Sequence, residues 1–176
     1  MERKLSKIYT SYKNLIILLA LILLSIIPTC TAKEITSSPL APIKVIDGDS
    51  LEIGTQRIRL MGIDAPEYVQ QCKNQNKKKY ACGIKSADYL KEMIGDGPIT
   101  CKIIKKDQYE RNLCTCYKGK INLNREMVKN GYAITYMESP YKKEQQEAQQ
   151  NKRGIWSGRF MQPRLFRRLK EQQKLN

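Results

Sequence analysis

The stretch IKVIDGDSLEIGTQRIRLMGIDAPE, residues 43–67, constrains the fold more than any other part of the chain. It holds three short runs rich in Val, Ile and Leu with partial alternation, broken at Gly48, Gly54 and Gly62. Such a pattern predicts a small antiparallel meander rather than helices. Downstream, Lys77 to Ile94 reads as a helix, because Ile84, Ala87, Leu90, Met93 and Ile94 recur at three-to-four spacing and Gly95 and Gly97 stop it. Ile99–Ile104 and Leu113–Tyr117 read as a hairpin joined across KKDQYERN. NLNREMVKNG reads as a short helix with Asn122 as N-cap, Leu123 and Val128 as core contacts and Gly131 as its stop. Tyr132–Tyr136 supplies one more strand, and Pro140–Lys152 a helix opened by Ser139 and Pro140.

These elements predict an α+β, mainly β fold: a five-stranded OB-fold barrel with about three packed helices, an architecture that often binds nucleic acids. The 176 residues allow one such domain plus a leader or tail. Residues 1–13 carry Arg3, Lys4, Lys7 and Lys13 against Glu2, and a charge-free run of 13 residues, Leu15–Ile27, follows. A spanning helix needs about 20 apolar residues. The segment therefore reads first as a signal peptide, residues 1–32, cleaved after Ala32. Export to the periplasm, the cell surface or the medium follows; an uncleaved run at 15–27 would instead anchor the chain to a membrane. Residues 33–42, rich in Ser, Thr and Pro, read as a flexible linker, residues 43–158 as the domain, and residues 159–176 as a basic tail. In that tail Leu165, Phe166 and Leu169 make a weak apolar stripe, read either as core packing or as part of a nucleic-acid contact.

Lys and Arg outnumber Asp and Glu by 32 to 17; loss of residues 1–32 removes four basic and one acidic residue and lowers the net charge only from +15 to +12. A polyanion such as nucleic acid or an anionic membrane suits that balance. Histidine is absent, which removes Ser-His-Asp triads, Cys-His pairs and two-His zinc sites. Five cysteines follow residue 32, without paired C-x-x-C spacing, so disulfides are expected rather than zinc. The ten-residue separation of Cys72 and Cys82 and the hairpin register of Cys101 and Cys116 suggest those two pairs, leaving Cys114 free.

Asp47, Asp49, Arg59, Asp64 and Glu67 lie close together in sequence. Asp-Gly-Asp alone is more often a turn than a metal site. Yet oxygen donors without histidine suit a hard cation such as Ca2+ or Mg2+. The order and spacing of VIDGDSLEI, RIRLMGIDAPE, Gly83–Ala87, DQYERNL, MVKNGYA and RGIW resemble the staphylococcal nuclease (thermonuclease) family over residues 43–157. That resemblance implies a secreted, calcium-dependent phosphodiesterase acting on DNA and RNA as an endonuclease, a monomer needing no protein partner. A non-catalytic OB-fold nucleic-acid-binding protein is the alternative. It further implies Asp49, Asp64 and the Ala65 carbonyl as Ca2+ ligands, Glu67 as general base, and Arg59 and Arg111 as the guanidinium groups on the scissile phosphate. The Tyr109 hydroxyl would meet a terminal phosphate, and Tyr136 would stack on a base, with Tyr141 competing for that role. Ser50 and Ala65 stand where the family usually has Thr. Glu110 replaces a Gly before Arg111, placing a carboxylate near the phosphate and disfavouring a left-handed backbone there. A cluster of charges around an empty phosphate site is expected to add little to folding stability.

Overall fold

A computed structural model describes residues 33–175. The segment read as a signal peptide, residues 1–32 with the run at 15–27, lies outside them. The fold is mixed α+β, mostly sheet: a curled half-barrel with four helices, of the OB type that the sequence predicts.

The meander forms as read. Strands β2 (Ile43–Val45), β3 (Ser50–Ile53) and β4 (Gln56–Leu60) pair antiparallel in succession. Alternation sends Leu51, Ile53, Ile58 and Leu60 into the core, so Arg59, between two core residues, faces the other way. The hairpin β8 (Thr100–Lys106) and β9 (Asn112–Lys118) joins this meander through a parallel pairing of β4 with β9, Arg59 opposite Leu113. A two-residue strand, β10 (Ile121–Asn122), adds to β9.

The segment read as a linker is different. Glu34–Thr36 forms β1, an edge strand antiparallel to β8, and the Ile99 amide donates to Ser37 Oγ at 2.9 Å. Its backbone groups find partners 64 or more residues away, and no local pattern records such pairing. The described sheet therefore exceeds the five strands expected, gaining β1 and β10.

The first helix, α1 (Cys82–Ile94), starts five residues later than predicted. The residues before it form a hairpin of β6 (Cys72–Lys73) and β7 (Lys79–Tyr80), with Asn74 Oδ1 accepting from the Asn76 and Lys78 amides and Lys77 left-handed at φ 60°. The Cys72–Cys82 disulfide ties this hairpin to the helix start, and Cys101–Cys116 bridges β8 and β9. Cys114 is a buried free thiol that burial pushes up to about 11, so it stays protonated and unreactive. The buried face of α1 is Cys82, Gly83, Ser86, Ala87, Leu90 and Ile94, whereas Ile84 is exposed. The disulfide and Gly83 set that rotation: a Cβ on Gly83 would lie 1.8 Å from the Glu67 carbonyl oxygen.

Helix α2 (Leu123–Lys129) is capped as predicted, Asn122 Oδ1 accepting from the Arg125 amide. Buried Asn124 accepts from the Cys116 amide and donates to the Met61 and Cys114 carbonyls, fastening β9 to the turn after β4. That turn leads to β5 (Ile63–Asp64), paired with β11 (Ile134–Thr135). Helix α3 (Lys142–Gln150) and a 3-10 turn at Gly154–Ser157 follow. A fourth helix, α4 (Pro163–Leu175), is formed by the tail.

Glu110 does adopt the left-handed backbone, at φ 59°, in the turn between β8 and β9, its carboxylate paired with Lys106 at 2.7 Å. That conformation costs an L-residue about 1–2 kcal/mol, and an exposed pair offsets less than that. Glu110→Gly relieves that strain but adds about 0.4–1 kcal/mol of unfolded-chain entropy, so the domain is expected to gain at most about 1 kcal/mol, a rise in Tm of up to about 2–4 °C in calorimetry. A Tm lowered by more than that would show that the turn is not strained.

Candidate active site

The site begins with a turn. Asp47 Oδ1 accepts from the Asp49 amide at 2.9 Å, and Gly48 lets α1 come so close that a Cβ there would sit 1.8 Å from Ser86 Oγ. This presses Asp49 into the protein, where it is 2 % exposed. Its Oδ1 accepts from Arg59 Nη1 at 2.6 Å and from Ser50 Oγ at 3.0 Å, and its Oδ2 from the Ala65 amide at 2.7 Å. The hydroxyl of Ser50 thus orients a carboxylate.

Arg59 spans two carboxylates. Its Nη2 donates to Asp64 Oδ1 at 3.0 Å, and Asp64, at the end of β5, is 1 % exposed. A second guanidinium closes the cluster from the far end of the chain. Arg167 on α4 donates through Nη2 to Asp64 Oδ1 and Oδ2 at 3.0 and 3.2 Å, and through Nη1 to Glu67 Oε1 at 2.6 Å.

Burial raises Asp49 from its ordinary value to about 6, Arg59 opposing and Asp47 adding to the shift. Asp64 is also raised, by burial and by Asp49, against the pull of Arg167 and Arg59. Burial works against the charge of Arg59, but Asp49 and Asp64 outweigh it and hold the guanidinium above its ordinary value.

Asp49, Arg59, Asp64, Ala65 and Glu67 come together as one hydrogen-bonded cluster. Arg111 does not join it by any hydrogen bond among the described residues. Its Nε and Nη2 bind Asp107 Oδ2 at 2.8 and 2.7 Å, and its guanidinium lies 5.5 Å from the Tyr109 ring. It precedes Asn112, which is opposite Ile58, and so enters β9 beside the strand that carries Arg59. Tyr109 is exposed in the same loop. Asp107 is worked against by burial, but the amides of Arg111 and Tyr109 and the Arg111 side chain hold its carboxyl below the ordinary range. Tyr136 lines an open cleft of about 490 Å3 together with Asp64, Trp156, Phe160, Gln145 and Gln162. Tyr141 is a core residue, 4 % exposed, its hydroxyl accepting from Asn122 at 3.4 Å, so it does not compete for a base.

Arg167 and Gln70 are the residues that sequence reasoning missed. Gln70 is fully buried: its amide donates to the Glu67 carbonyl at 2.7 Å, its Oε1 accepts from the Glu67 amide at 3.2 Å, and its Nε2 donates to the Met161 carbonyl at 2.7 Å. Nothing local marks either residue, since Arg167 stands 100 residues from Glu67.

The donor set fits a hard cation. Two buried carboxylates and the Ala65 carbonyl offer oxygen alone, and calcium takes six to eight oxygens, so waters and substrate would complete its shell. No group of three or more acidic, Cys or His side chains suited to a metal occurs among the described residues.

Residues 57–158 match the family described as staphylococcal nuclease homologue. The chain is similar to the succinoglycan biosynthesis protein ExoI of Rhizobium meliloti, 36 % identical over 64 % of this chain and 61 % of that one. It is 35 % identical to endonuclease YhcR of Bacillus subtilis over 65 % of this chain, which spans only 11 % of that protein. An uncharacterized endonuclease of Haemophilus influenzae is 30 % identical over 89 % of this chain and 84 % of its own length. The chain thus spans less than two thirds of the first two relatives.

Proposed function

The chain belongs to the staphylococcal nuclease family, and on that premise we propose that it is an exported, calcium-dependent nuclease hydrolysing phosphodiester bonds of DNA and RNA. One observation carries this reading: Arg59 bridges two buried carboxylates, Asp49 and Asp64, with Glu67 joined to the same cluster. Relatives named endonuclease support it, as does the basic charge of the chain. The leader at residues 1–32 and the two disulfides support export.

A phosphodiester is an anion that resists an anionic nucleophile, and its charge spreads as phosphorus becomes five-coordinate. Asp49, Asp64 and the Ala65 carbonyl would hold a calcium ion, which supplies positive charge and Lewis acidity to the phosphoryl oxygen when bound. Arg59 reaches the same oxygens with its planar guanidinium by exchanging a bond to Asp49 or Asp64. Glu67 takes a proton from water as its oxygen forms the new bond to phosphorus; the bond to the leaving oxygen breaks, and solvent protonates it. Arg111 reaches the phosphate by exchanging its bond to Asp107, and Tyr109 and Tyr136 contact the nucleotides on either side.

Supercoiled plasmid and single-stranded RNA, incubated with calcium, with magnesium and with chelator, test the reading. Both substrates should be cut with calcium and remain intact with chelator. Full cleavage in chelator refutes the metal requirement, and tight binding without cleavage in calcium supports a non-catalytic binding protein instead.

A further inference from the structure

Arg167 lies outside the stretch matched by the family, residues 57–158, yet it makes the only hydrogen bond to the Glu67 carboxylate among the described residues. We propose that Arg167 is a positioning residue of the active site, holding Glu67 in register with Asp64 for attack on the phosphodiester. The inference rests on the nuclease reading above and adds to it a residue from α4. One planar fork places one nitrogen on Glu67 and the other on both oxygens of Asp64, which fixes the separation of the two carboxylates. Without that fork Glu67, whose side chain is 30 % exposed, keeps no partner to select its rotamer.

The approach of α4 is fastened independently of Arg167. Gln70 binds both backbone groups of Glu67 and the Met161 carbonyl, so the loop of the base and the entry to α4 share one buried clamp. Lys73 and Arg159 exchange two backbone hydrogen bonds at 2.8 Å, and Gly158 packs so tightly that a Cβ would lie 2.0 Å from the Lys73 carbonyl oxygen. Pro163 is buried, whereas Leu165 and Leu169 are exposed. Beyond that first turn, Arg167 is the residue of α4 that hydrogen-bonds to Asp64 and Glu67. A helix entry fixed in this way, with Arg167 reaching Glu67 and Asp64, is the arrangement of a positioning element.

The full exported chain is the material for the test: wild type, Arg167→Ala, Arg167→Lys and, as control on the same helix, Arg168→Ala. With calcium and plasmid, Arg167→Ala should lower kcat on the order of 10²-fold while KM moves by about threefold or less; Arg168→Ala should stay near wild type. Arg167→Lys keeps the charge without the fork and should recover only a small part of the loss. Calorimetric titration with calcium alone should show Arg167→Ala binding the ion no more weakly than wild type. Guanidinium ion well below denaturing concentration should partly restore its turnover. Wild-type or higher turnover in Arg167→Ala overturns the proposal, the higher value marking the contact as inhibitory. A loss shared by Arg168→Ala, or one that guanidinium does not relieve, also overturns it, leaving a merely structural role. Absence of cleavage by the wild type with calcium defeats the nuclease reading itself, and the inference with it.

Discussion

Glu67→Gln is expected to lower turnover by about 10²- to 10⁴-fold, the span that general-base catalysis contributes. Without histidine, a carboxylate is the natural acceptor for the proton of the attacking water, and Glu67 is the most accessible of the three in the cluster. The amide keeps the shape and leaves an oxygen to accept from Arg167 Nη1, so the site should stay assembled. Nucleic-acid affinity and Tm should therefore remain close to wild type. Plasmid cleavage, fluorescence anisotropy and calorimetry on one preparation separate the three quantities. Hydrolysis at the wild-type rate with calcium present would sink the mechanism.

Arg59→Ala should be costly twice over. Turnover should fall by about 10²- to 10³-fold for loss of one donor to the developing charge. Stability should also fall, by about 3–5 kcal/mol, because the change leaves Asp49, at 2 % exposure, without its cationic partner and leaves Asp64 to Arg167 alone. The expectation that the cluster adds little to folding applies to solvated charges; the burial of Asp49 and Asp64 argues for the larger cost. The sign of the pH dependence follows from Asp49. Its carboxyl is raised from 3.8 to about 6 by burial, so its contribution to stability is fully present below about pH 4 and is lost as pH rises through 6. In the absence of a cation, the ionised pair opposes folding at neutral pH, and more so once Arg59 is gone. Melting curves from pH 5 to pH 8 with and without calcium check this: the gain in Tm on adding calcium should grow with pH. A gain that is constant or shrinks with pH would show that Asp49 does not titrate in this range.

The elements with short-range signatures were legible in the sequence, because their causes are local. Alternation in residues 50–60, the Asn122 cap and the glycine stops act within a few residues, and so do the hairpin register that brings Cys101 opposite Cys116 and the motif that gathers Asp49, Arg59, Asp64 and Glu67. What the tertiary structure alone decided involves partners far apart along the chain. Glu34–Thr36 becomes a strand only because β8 presents an edge to it, and α1 begins at Cys82 because a disulfide and a hairpin end there. Arg111 is in the motif, but its guanidinium is claimed by Asp107 four residues away. Arg167 read as one more charge of a basic tail, yet it meets Asp64 and Glu67 across 103 and 100 residues. The sequence by itself determined which residue types could do the chemistry. Only the packing of the last helix against the Glu67 loop determined which of 32 basic side chains meets Glu67, since a charge's role depends on what it is buried against and no periodicity encodes that.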